Sequence, residues 1–182
     1  ILFDFAYITI HGVPGENGLL QGYLDMMGVP YGCCNVLASA LTFDKHTCNT
    51  YLKSYGVNVA DSVMLIRGMA YDVNEIINEV GLPCFVKPNA EGSSFGVTKV
   101  KEAAQLEDAL KKAFALCREV LIETFIDGTE LTCGVVKAGD MDITMPIAEV
   151  VPKNEFFDFE AKYDPTKSDE IIPARISPEL TN

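Results

Sequence analysis

The longest helical repeat in the chain is followed at once by sequence of β character, and this change of period limits the folds available. From Glu102 to Glu119, Ala103, Leu106, Leu110, Ala113, Phe114 and Cys117 recur at helical spacing. Beyond it, Val120–Thr124, Leu131–Lys137 and Ile143–Val151 alternate or run apolar, with Ala138-Gly139-Asp140 as the hairpin turn between the last two. Before it, strands and helices alternate. Phe5–Ile10 is a short buried strand, a glycine-rich turn follows, and a helix runs from about Asn17 to Met27, closed by Gly28. Asn35 and Asp44 cap two helices ending at Leu41 and Gly56, and Asp72 with Glu75 caps a third ending at Gly81. Ser62–Ile66, Cys84–Lys87 and Val97–Val100 read as strands. The expected class is α/β giving way to α+β: the tail of a doubly wound domain, then a mixed domain. Pro152–Ser168 is polar and aromatic without a period, a length of loop that in compact domains is either functional or disordered.

The 182 residues carry a net charge of −12, which argues against nucleic acid as a partner. A few lysines focused in a cleft still suffice to bind one phosphate tail. Six cysteines without a Cys-x-x-Cys pair, beside only two histidines, give no structural zinc site. Cys84 and Cys133 lie in apolar runs and are expected to be buried, reduced thiols, as in a cytoplasmic protein. No apolar run approaches the roughly eighteen residues a membrane span needs. Ile1–Phe5 lacks the basic flank of a signal peptide, has no initiator methionine and starts almost within a strand. Ser177-Pro178-Glu179-Leu180 announces a helix just before the last residue, so both ends are expected to lie inside a longer protein.

Four stretches can carry chemistry. His11–Gly18 follows a strand and opens a helix, so it is either an anion-binding turn, suited to a substrate carboxylate, or a tight βα turn with a solvated histidine. Val86-Lys87-Pro88 followed by Glu91–Gly96 places a strand-end lysine beside a small-residue loop able to fold over phosphates; the alternative is a flexible hairpin. The lysine precedes the glycines, unlike a Walker loop. Leu121–Ile126 with Glu130 offers a strand edge and an apolar wall for a purine, or a core strand leading into a turn. Phe157–Tyr163 is either a lid bringing Lys162 and Tyr163 onto a bound substrate or an ordinary exposed loop. Lys45, just inside a helix N-terminus where the dipole disfavours a cation, suits a phosphate ligand.

Together these stretches resemble the D-alanine–D-alanine ligase family. HGVPGENGLLQG (His11 to Gly22) follows that family's first signature; VKPNAEGSSFGV, VLIETFIDGTELT and FFDFEAKY follow in its order and approximate spacing. The resemblance implies an ATP-grasp ligase. Residues 1–33 are then the latter part of a Rossmann-like amino-terminal substrate domain, 34–123 the central subdomain, and 124–182 the start of the carboxy-terminal subdomain with its lid. It implies that Lys45 and Lys87 bind ATP phosphates and that Glu123 accepts from the adenine amino group. Backbone groups of Thr124, Phe125 and Ile126 would read the ring edge, and Glu130 would meet the ribose. Lys162 would reach the terminal phosphate, His11 would lie near bound D-alanine with Glu16 in the same catalytic stretch, and Ser93 and Tyr163 would link the serine loop to the lid. The implied reaction joins two D-alanines through an acyl phosphate for peptidoglycan precursors, in a cytoplasmic homodimer.

The family's metal-ligating Arg-x-Asp and Glu-x-Asn patterns do not occur before Asn182, so Mg2+ ligands are expected beyond it, and this piece alone is expected to lack turnover. Tyr163 favours dipeptide over depsipeptide formation, while Phe157 stands where many relatives have tyrosine. The rival readings are another ATP-grasp ligase, such as a D-alanine–D-lactate ligase, and a non-catalytic nucleotide-binding module.

Overall fold

The computed structural model describes residues 2–153, 162, 164 and 166–181. They divide into two compact units, Ile1–Ile126 and Asp127–Asn182.

In the first unit a short parallel pair, β1 (Ala6–Tyr7) and β2 (Tyr31–Gly32), flanks helix α1 (Leu19–Met27). The helix starts two residues later than the sequence suggests, because Gly18 enters it at φ 88°. Any Cβ there would meet the Val36 carbonyl at 2.8 Å, so only glycine fits that approach. Helices α2 (Val36–Phe43) and α3 (Lys45–Ser54) follow, each with its expected cap. The Asn35 side chain accepts from the Ala38 N–H and Asp44 from the Thr47 N–H.

Strands β3 (Ser62–Ile66), β4 (Cys84–Pro88), β5 (Thr98–Val100) and β6 (Glu119–Thr124) form an antiparallel sheet in the order β3-β6-β4-β5. Helices α4 (Val73–Val80) and α5 (Leu106–Leu116) cover one face, burying Ile76, Val80, Leu106 and Leu110 against Cys84, Val86 and Ile122. Strand alternation turns Phe85 and Lys87 to the opposite face, the side toward α3.

The predicted helix over 102–119 is cut at both ends. Gln105 Oε1 accepts from the N–H groups of Lys101 and Glu102 (2.8 and 3.3 Å), which tightens 103–105 into a 3-10 turn. At the other end Cys117 turns extended, Arg67 donates to the carbonyls of Phe114 and Cys117, and Glu119 pairs with Ile66 as the first residue of β6.

The second unit contains β7 (Glu130–Thr132), β10 (Ala148–Pro152) and β11 (Ser168–Ile171), ordered β11-β10-β7, with a separate hairpin of β8 (Val135–Ala138) and β9 (Met141–Thr144). Gly139 takes φ 61° in the hairpin turn, as expected. The two long predicted strands are each divided. Met145 donates back to the Gly134 carbonyl (2.8 Å), and Pro146 has no N–H for a ladder, so pairing stops on both sides of these residues. A short helix α6 (Pro178–Thr181) follows. Cys84 is buried and reduced as expected; Cys133 is not buried, because the strand break leaves it exposed. No helix of the described residues is long and apolar enough to cross a membrane.

Candidate active site

Glu123 sits at the end of β6 only 7% exposed, on the sheet face opposite the core. A buried carboxylate requires partners. Lys87 Nζ forms an ion pair with Glu123 Oε2, and Asn49 Nδ2 donates to Oε1 (2.8 Å). The register explains the meeting, since Lys87 lies opposite Leu121, two residue pairs along from Phe85–Glu123 and so on the same face.

Asn49 arrives on α3, and the start of α3 is pinned to the sheet by Asn89, which is fully buried. Asn89 Nδ2 donates to Asp44 Oδ2 (2.7 Å) and Glu119 Oε2 (3.1 Å). Its Oδ1 accepts from the His46 N–H (2.9 Å), and its carbonyl accepts from the Lys45 N–H (3.2 Å). One amide side chain therefore ties the helix cap to the end of β4 and the start of β6.

Lys45 points from the first turn of α3 into the loop after β4. Its ammonium donates to the carbonyls of Pro88 (3.1 Å), Asn89 (3.2 Å) and Glu91 (2.6 Å). All three N–H donors are used, so contact with a phosphate requires exchange of a carbonyl. Burial, and next the Lys87 ammonium, hold the Lys45 pKa below the ordinary lysine value. Lys45, Lys87, Asn49, Glu123 and Thr42 line a cleft of about 400 Å³. Two ammoniums that repel each other favour an entering anion.

The loop beyond Lys87 is built for close approach. Ser93 and Ser94 take φ 52° and 56°, a region non-glycine residues rarely hold. A Cβ on Gly92 would meet Glu16 Oε2 at 3.1 Å, so the serine loop lies against the His11–Gly18 turn. Glu16 closes that turn, accepting from the Gly12 N–H (2.5 Å), with His11 Nδ1 3.8 Å from its other oxygen.

His11, Gly15, Glu16, Gln21, Cys33 and Thr42 contribute to a second cleft, about 480 Å³. A third, about 240 Å³, is lined by Glu16, Thr42, Lys45 and Ser93. Glu16 and Thr42 are common to the second and third; Thr42 and Lys45 are common to the third and first. The three clefts thus form a chain from His11 to Glu123 within one compact unit.

Other expected residues fall elsewhere. The Thr124 N–H donates to the Asp61 carbonyl (3.0 Å) and the Phe125 N–H to the Pro83 carbonyl (3.3 Å). These two donors are committed to the fold. Ile126, the next residue, is 67% exposed. Glu130 opens β7 and Lys162 is exposed, both in the second unit. Tyr163, with residues 154–161 of the expected lid, lies outside the described residues. No group of three or more His, Cys, Asp or Glu suited to a metal occurs among the described residues. The sequence reading missed Thr42, Asn49 and Asn89. Asn49 lies one helical turn from Lys45, a spacing that marks a shared face.

Comparison with known proteins decides the family. The profile described as "D-ala D-ala ligase C-terminus" matches residues 51–182. A D-alanine--D-alanine ligase of Bacteroides fragilis (strain YCH46) is 56% identical over 181 residues, covering 100% of this chain and 56% of that protein. The chain belongs to the D-alanine–D-alanine ligase family. Another family member, from Phocaeicola vulgatus, is 59% identical over 179 residues, covering 98% of the chain and 55% of that protein. The chain therefore spans just over half the length of these relatives. Its fold is also that of solved ligases. The VanG D-Ala:D-Ser ligase from Enterococcus faecalis superposes with TM-score 0.84 at 34% identity, over 100% of this chain and 53% of that one. A D-alanine--D-alanine ligase from Bacillus anthracis complexed with ATP gives 0.79 at 30% identity, over 98% and 55%.

Proposed function

We propose that the protein to which this chain belongs ligates two D-alanine molecules at the expense of ATP, as a cytoplasmic enzyme supplying peptidoglycan precursors. The observation that carries this reading is the chain of three clefts, which has a pocket beside the His11–Gly18 turn at one end and a two-lysine pocket at the other. In this reading residues 1–33 end an amino-terminal substrate domain, 34–123 form the central ATP-grasp subdomain, and 124–182 begin the carboxy-terminal one. In this reading the full-length protein is a homodimer.

His11 and Glu16 shape the pocket for the first D-alanine. Lys45 and Lys87 meet the phosphates, Lys162 reaches the terminal phosphate, and Ser93 and Tyr163 link the serine loop to the lid. Glu123 and the Thr124–Ile126 edge hold adenine, and Glu130 holds the ribose. The D-alanine carboxylate attacks the γ-phosphate, giving an acyl phosphate and ADP. The amine of a second D-alanine then attacks that carbonyl and expels phosphate. What these residues supply is position and positive charge around a polyanionic transition state. In this reading Mg2+ accompanies ATP and would neutralise phosphate charge.

The test is D-alanine-dependent ADP release by the protein as encoded, run with D-lactate and D-serine as competitors for the second position. Dipeptide formation at neutral pH supports the reading. Nucleotide binding without D-alanine-dependent ADP release would support a non-catalytic module instead. A clear preference for D-lactate or D-serine would reassign the second substrate.

A further inference from the structure

The sheet face that carries Lys87 and Glu123 carries a third lysine. Lys99 on β5 pairs with Phe85 on β4, and Phe85 pairs with Glu123 on β6, so the three form one row across the sheet. Cross-strand neighbours of this kind stand within reach of one another. Lys99 is half-buried, with Nζ 3.9 Å from the centroid of the Phe125 ring and 6.0 Å from that of Phe85. The two rings are 5.9 Å apart and tilted by 52°. Lys87 Nζ lies 5.3 Å from the Phe85 centroid, so Phe85 stands between the two lysines' reach.

Lys99 is not among the residues lining the Lys45–Glu123 cleft, so the proposed phosphate chemistry does not use it directly. Its partner Phe125 belongs to the stretch proposed above as the purine edge. The Phe125 backbone is already fixed by its bond to the Pro83 carbonyl, which leaves the ring direction as the freedom to be set. An ammonium over an aromatic face is attractive within about 6 Å of the centroid.

We infer that Lys99 is a positioning residue of the nucleotide site: by capping the Phe125 ring against Phe85 it sets the apolar wall that a purine packs on. The inference rests on the reading of the Lys45–Glu123 cleft as the ATP site. Lys99 acts through Phe125 and touches no reacting atom, so its effect falls on nucleotide binding and not on the chemical step.

The experiment compares the protein as encoded with its Lys99→Met, Lys99→Arg, Phe125→Leu and Lys99→Met/Phe125→Leu variants. ADP affinity is measured by calorimetry, KM for ATP and kcat by ADP release, and folding by thermal unfolding. Lys99→Met keeps the aliphatic stem and removes the charge. It is expected to weaken ADP and raise KM for ATP about fivefold, which corresponds to roughly 1 kcal/mol, with kcat little changed. Lys99→Arg retains the cation and restores affinity. In the Phe125→Leu background, Lys99→Met adds no further loss, because the ring it acts through is gone. Unchanged ADP affinity in Lys99→Met, a fall confined to kcat, or additive losses in the double variant would each overturn the inference. An arginine variant as weak as the methionine one would do the same. If the unsubstituted protein binds no ADP, the nucleotide reading itself has failed, and that outcome is distinct from the others.

Discussion

Two glutamates of this chain are equally hidden, each 7% exposed, and each pairs with a cation, yet they are held in different ways. Glu149 on β10 receives Arg175 through Nε (2.9 Å), through a terminal nitrogen (2.7 Å) and through its backbone N–H (3.1 Å). Arg175 keeps the Glu149 carboxyl at about 2, well below its ordinary 4.5. Both oxygens and the whole fork are used, so the pair closes on itself. Glu123 on β6 has instead one ammonium and one amide, and that ammonium borders an open cleft with a second lysine repelling it. A bidentate arginine fastens segment 172–176 to a sheet; a point-charge lysine is free to change partner. The first arrangement suits stability, the second suits ligand exchange.

The largest test of this contrast is removal of each cation. Lys87→Met is expected to lower ligase kcat/KM by about 10²-fold or more, the scale on which loss of one electrostatic stabiliser registers, while the fold persists because Asn49 still serves Glu123. Arg175→Met is expected to do the reverse, lowering the thermal unfolding temperature with little effect on nucleotide affinity. Equal activity losses from both would erase the distinction.

Next in size is Asn89→Ala. It strips the donor of Asp44 and Glu119 and the acceptor of the His46 N–H at a fully buried point, and should cost about 1–3 kcal/mol in denaturant unfolding. Because it also loosens the start of α3, ADP should weaken in parallel, which no substitution at the Glu149–Arg175 pair should cause.

The pH dependence sharpens the comparison further. A carboxyl whose folded pKa is depressed contributes stability that is fully present above its ordinary value and lost as pH falls through the folded one. For Glu149 that window runs from 4.5 down to about 2. The stability difference between the protein and its Glu149→Gln variant, followed by chemical denaturation, should be constant near neutrality and shrink across that window. A difference that persists unchanged at the acid end would show that Arg175 is not its source.

The smallest expected effect is that of Asn49→Ala. One neutral donor to a carboxylate is lost, and KM for ATP should rise by about the few-fold that one such bond is worth.

What was legible in the sequence follows the range of the interactions. Asn35, Asp44 and Asp72 were readable as caps because a cap is decided within three residues. Lys87 stood out because a lysine in an apolar strand has few structural uses. The split of the 102–119 helix was hidden because Gln105 reaches back along the chain instead of extending the helix. The breaks at Gly134 and Met145 depend on each other across a hairpin. Asn89 was invisible for the same reason: its side-chain partners come from residues 44, 46 and 119, and no local pattern announces them. The HGVPGE turn was legible as a glycine loop, but not its contact with the serine loop through Glu16 and Gly92.

The most direct measurement is a calorimetric titration of ADP into the protein as encoded and into its Lys87→Met and Arg175→Met variants, with folding checked for each. If Lys87 is the exchangeable cation of a nucleotide cleft, Lys87→Met binds ADP at least about tenfold more weakly, some 1.4 kcal/mol, and Arg175→Met binds it like the unsubstituted protein. Unaltered ADP affinity in a folded Lys87→Met protein would contradict the account.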